Sequence, residues 1–81
     1  MAGSARPGGL VKGSVLIAGH ATSVSLEPLF WTALREAAAA DGRTVTAIIT
    51  EIDEARTTNL SSAIRVWLLA RARAAAGVTR D

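Results

Sequence analysis

The sequence predicts a mainly α-helical domain with one β-strand per chain, closed by pairing that strand between two copies. Three observations predict it. Thr22 to Leu26 alternates, with Val24 and Leu26 on one side and Ser23 and Ser25 on the other, the period of a half-buried strand. Three apolar stripes at helical spacing follow it, separated by short polar links. And at 81 residues with no cysteine, the chain is short for a stable core and has no disulfides to compensate. A lone strand cannot satisfy its own edges, so the expected partner is a second copy of the chain; the alternative is a different sheet within a monomer.

The elements follow in order. Residues 1–12 are rich in Gly, Ala and Ser and carry Arg6 and Lys12, which predicts a flexible basic arm. Ser14 to Ala18 is β-prone and reads either as an extra strand beside the main one or as part of an extended arm. Gly19-His20 marks a bend before the main strand. Glu27-Pro28 ends that strand and opens the first helix, because proline lacks an N–H that would go unpaired there anyway. The helix extends to about Ala40, with Phe30, Ala33, Leu34, Ala37 and Ala38 on its apolar stripe. Trp31 sits at the stripe's edge, either beneath the strand or partly exposed, and Arg35 and Glu36 face water. Gly42 supplies the left-handed residue beyond its end.

Thr44 is the predicted N-cap of the second helix. Ile48, Ile49 and Ile52 form its buried face. The β-branched residues of this segment have poor helical propensity, so packing must hold the helix. Thr58, Asn59 or Ser61 caps a third helix from about Leu60 to Ala75, with Leu60, Ile64, Trp67 and Leu68 in one stripe. The domain is predicted over 13–76, with a disordered end at 77–81.

Composition narrows the function. The formal net charge is +2 and the isoelectric point about 10.5, a balance that permits nucleic-acid binding without requiring it. No apolar run approaches the roughly 20 residues of a membrane span, and the N-terminal residues carry no export signal, so a cytoplasmic location is expected. His20 stands alone, without the second histidine or cysteine that a metal site needs. The serines have no recognisable base partner, and Gly13 belongs to no phosphate-binding loop. No enzyme activity, cofactor or metal is expected.

Two antiparallel copies of the strand would make a ribbon with Val24 and Leu26 toward the helices and Ala21, Ser23 and Ser25 outward. Such a ribbon fits the DNA major groove, and serine and alanine can touch base edges there. The alternative for these residues is simply the wet face of an amphipathic strand. At the start of the second helix, the amides of Thr44, Val45 and Thr46 with the Arg43 side chain could hold a phosphate. The alternative there is an ordinary helix cap.

The run TSVSLEPLFWTALREAAAADGRTVTAIITEID followed by NLSSAIRVWLL resembles the ribbon-helix-helix family of DNA-binding domains, and within it a small alphaproteobacterial subfamily. The resemblance covers about Gly13 to Ala70. It implies an intertwined homodimer with an intermolecular ribbon. It also implies that Ala21, Ser23 and Ser25 read bases, that Arg43 to Thr46 clamp phosphate, and that the protein is a repressor or an antitoxin-like regulator of double-stranded DNA. Ala21 departs from the pattern, since a long polar or basic residue is usual there; Arg6, Lys12 and His20 then supply auxiliary positive charge. The third helix is an addition to the minimal motif. The dimer core expected from these readings is Val24, Leu26, Phe30, Leu34, Ile48, Ile49, Ile52, Leu60, Ile64, Trp67 and Leu68. The competing functional class is a protein-interaction module, built on the same dimer, that offers its apolar third helix to a partner such as a toxin.

Overall fold

The computed structural model describes residues 9–77. Arg6 and the end of the chain from residue 78 lie outside the described residues. Two strands and three helices follow one another: β1 (Val11–Ile17), β2 (His20–Leu26), α1 (Pro28–Asp41), α2 (Val45–Ala55) and α3 (Leu60–Ala75).

The expectation of one strand per chain is corrected. β1 and β2 pair antiparallel within the chain, from Val11 opposite Leu26 to Ile17 opposite His20. A lone strand does need a partner, and here the partner is local. The turn Ala18-Gly19 has φ of 52° and 82°, both positive, as a tight hairpin of matching twist requires. Closing so short a loop costs little chain entropy. Val11 and Lys12 therefore belong to β1 and not to a flexible arm.

The inward face of the hairpin carries Val15, Ile17, Val24 and Leu26, all buried. Gly13 lies on the same face for a steric reason. A Cβ there would come within 2.8 Å of the Trp31 ring, so the indole occupies the space a side chain would need. Trp31 Nε1 donates to the Val11 carbonyl at 2.8 Å, tying α1 to β1. Trp31 thus packs beneath the strand at Gly13 while staying partly exposed, so both expected features hold.

The helices begin and end as their sequences predict. Gly42 takes φ 65°, and its amide and that of Arg43 return to carbonyls of the last turn of α1. Thr44 Oγ1 accepts from the Ala47 amide at 2.9 Å, and Asn59 Oδ1 from the Ser62 amide at 2.9 Å. Glu27, at the head of α1, makes no side-chain cap; its carboxylate instead takes Arg65 of α3 at 3.1 Å.

The core lies between the hairpin and the helices. Leu34, Ile48, Ile49 and Ile64 are fully enclosed together with Val24 and Leu26. Ile52 and Leu68 are also buried, whereas Phe30, Leu60 and Trp67 are half-buried against this cluster. Most of the residues expected in a dimer core thus pack against one another within one chain. α2 packs on β1, and α3 packs on both β2 and α2. Among the described residues, no helix is long and apolar enough to cross a membrane.

Candidate nucleic-acid interface

Cross-strand partners in an antiparallel pair share a face. The register therefore puts Lys12 beside Ser25, Ser14 beside Ser23 and Leu16 beside Ala21, all away from the core. Ala21 and Ser23 are exposed as expected, and so are Lys12, Ser14 and Leu16. Ser25 is half-buried, and its carbonyl accepts from Ser61 Oγ of α3 at 3.0 Å. The outward face thus has six side chains from one chain, where sequence reasoning placed three. Ser14 and Leu16 were missed because their face follows only from the register of β1, which the sequence left undecided. His20 sits exposed beside the turn.

At the start of α2 the expected cap is formed by Thr44. Thr44 is exposed and spends its hydroxyl on the cap, Val45 is half-buried, and Thr46 is exposed. Arg43 is already engaged: it bonds to Glu51 at 2.6 Å and to the Ala47 carbonyl at 3.3 Å. A phosphate arriving there competes with Glu51 for the guanidinium.

The other arginines sort by partner. Arg65 pairs with Glu27 and lies over the Phe30 ring at 5.8 Å. Arg71 makes a bidentate pair with Asp41, at 2.8 and 3.0 Å, and lies over the Trp67 ring at 5.5 Å. The Arg71 guanidinium holds the Asp41 carboxyl below the usual carboxylate range. Glu27 is lowered too, first by a hydrogen bond from its own backbone amide and then by Arg65. Arg56 pairs with Asp53 at 2.7 Å. Among the described residues, Lys12, Arg35 and Arg73 are the cations without a carboxylate partner.

A second surface is different in kind. Between α1 and α3 runs an open groove lined by Leu29, Phe30, Ala33, Val66, Leu69 and Ala72. Leu29, Val66 and Leu69 are 75%, 64% and 58% exposed, a contiguous apolar patch on a small chain.

Comparison with known proteins agrees with this architecture. Residues 10–72 match the ribbon-helix-helix domain family. Among solved structures, the chain is similar to an uncharacterized protein from Bordetella pertussis Tohama I, with 35% identity and a TM-score of 0.71. That similarity covers 89% of this chain and 63% of the other, so the chain spans less than two thirds of the solved protein. No protein of curated function matches. With the paired strands, the helices behind them and most of its length matched, the chain belongs to the ribbon-helix-helix domain family, whose members are non-catalytic DNA-binding domains.

Proposed function

We propose that the protein is a homodimeric, sequence-specific DNA-binding regulator of transcription, a repressor or an antitoxin-like protein of the cytoplasm. The observation that carries this reading is the hairpin's outward face. A finished two-stranded ribbon presents Lys12, Ser14, Leu16, Ala21, Ser23 and Ser25 away from the core. A ribbon of this width enters the major groove, where serine hydroxyls donate to or accept from base edges and the Ala21 methyl meets a thymine methyl. Lys12, at the edge of the same face, adds positive charge that position 21 lacks. Arg43, Thr44, Val45 and Thr46 position a flanking phosphate at the start of α2; Arg6 and His20 add charge at the periphery.

Dimerisation is supported by family membership, since such domains typically bind DNA as dimers. The apolar face of α1 and α3 is the surface we assign to the second copy. That face also supports the second reading, in which it receives a different protein. The two are separated by the mass in solution: a dimer of the chain alone supports the first, and a monomer that assembles only with a partner supports the second.

The test of the DNA reading is selection of bound duplexes from a random pool. Recovery of one recurring sequence, ideally with two-fold symmetry, is the expected outcome. A pool that stays random through successive rounds overturns sequence-specific binding.

A further inference from the structure

A cleft of about 370 Å³ opens between the outer edge of β1 and the first turns of α1. Trp31 is in its wall, and Lys12 and Arg35 reach it from the strand and the helix. We infer that Lys12 and Arg35 form a phosphate site for the DNA backbone beside the hairpin, separate from the start of α2 and resting on the DNA reading above.

Three features point to an anion. Both cations lack a carboxylate partner among the described residues, although four arginines elsewhere in the fold have one. Two like charges brought to one cleft repel each other unless an anion joins them. Two acceptors along the cleft are also engaged already. The Val11 carbonyl takes the Trp31 N–H, and Thr32 Oγ1 takes one Arg35 N–H at 3.3 Å. The cleft offers donors: the Lys12 ammonium and the other N–H groups of a planar guanidinium, which suits phosphate oxygens.

Position selects the backbone as the source. Lys12 belongs to the hairpin's outward face, opposite Ser25, and Arg35 stands behind it on the exposed side of α1. A ribbon seated in the major groove is flanked by phosphates on both sides. A contact at the edge of β1 therefore falls on the strand bordering the groove and fixes register without reading sequence. Trp31 fastens α1 to β1 and so keeps the strand and the helix that carry the two cations side by side.

The test is the salt dependence of duplex binding for wild type, Arg35→Gln, Lys12→Gln and Arg73→Gln. Arg73 is exposed on the last turn of α3 and also has no carboxylate partner among the described residues, so it controls for net charge. Each lost phosphate contact should flatten the slope of log K against log salt by about 0.9, and so weaken binding about eightfold at 0.1 M salt. Arg35→Gln and Lys12→Gln should each show this on selected and unrelated duplexes alike, and Arg73→Gln should not. Wild-type binding with Arg35→Gln behaving like Arg73→Gln overturns the site and leaves the DNA reading standing. A wild type that binds no duplex overturns both. If inorganic phosphate binds wild type and not Arg35→Gln while the two show the same salt slope on duplex, the site belongs to a free anion and the backbone assignment falls.

Discussion

The two exposed faces of this small chain treat charge in opposite ways. On the α1–α3 face, Arg65 and Arg71 are each neutralised by a carboxylate and laid over an aromatic ring. The apolar side chains between them stand open to solvent. On the hairpin side Val15, Ile17, Val24 and Leu26 are turned inward, and Lys12 and Arg35 have no carboxylate partner among the described residues. Charge is quenched where an apolar partner would have to dehydrate it, and free where a polyanion would exchange it for released counterions. One domain thus has two surfaces with different chemical demands, and the difference yields substitutions that act on one and spare the other.

The largest expected effect on stability comes from the join between the hairpin and α1. Gly13→Ala drives a methyl into the Trp31 ring, at 2.8 Å before relaxation. Overpacking of this kind costs about 1–3 kcal/mol, and each kcal/mol lowers the melting temperature by about 4–8 °C in a domain of this size. Trp31→Phe in the same chain should recover part of the loss, since the ring atoms in the way belong to the indole's outer six-membered ring. Chemical denaturation of the single and double variants reads this directly.

Next is the apolar face. Val66→Glu places a charge on an exposed position of α3, so its melting temperature as a monomer should barely change. The mass measured by sedimentation should fall from dimer to monomer. An unchanged dimer would move the two-fold contact elsewhere, most simply to the open edge of the hairpin.

A smaller gain is expected at the turn. Ala18 holds φ 52°, a region where a non-glycine residue is strained and asparagine is better tolerated. Ala18→Asn should raise stability by about 0.5–1 kcal/mol without touching either binding face.

The smallest effect concerns the ion pairs on the α1–α3 side. Asp41 and Glu27 have carboxyls held below their ordinary range. Their stabilisation is present above the unfolded-state values, near pH 4, and is lost as pH falls through the lowered folded values. Melting temperature should therefore hold level from pH 7 to 5 and decline below about pH 4. Asp41→Asn should make that decline shallower. Both pairs are solvent-exposed, so the change is slight.

The parts of this fold that were legible in the sequence are those governed by local chemistry. The alternation at Val24 and Leu26 turned Ser23 outward, and Pro28, Gly42, Thr44 and Asn59 marked helix ends by the hydrogen bonds or φ values they supply. β1 was harder because its pattern is broken on both faces. Gly13 stands where an inward apolar residue is expected, and Leu16 is apolar on the outward side. A glycine within a β-prone run does signal close approach of another group, and the group here is Trp31, distant in sequence. Without β1 the remaining strand had no partner in its own chain, and the intermolecular ribbon followed from that. Arg35 read as an ordinary solvated residue, since its meaning depends on which cations the fold leaves unpaired.

The account rests on the hairpin's outward face meeting DNA, and Ser23→Glu tests it most directly, because Ser23 is exposed while Ser25 touches α3 through its carbonyl. A carboxylate held against the groove floor, between two phosphate strands, should cost several kcal/mol, a loss of about 100-fold or more on a selected duplex. Melting temperature and mass should match the wild type. A variant that folds, assembles and still binds that duplex with wild-type affinity would contradict the account.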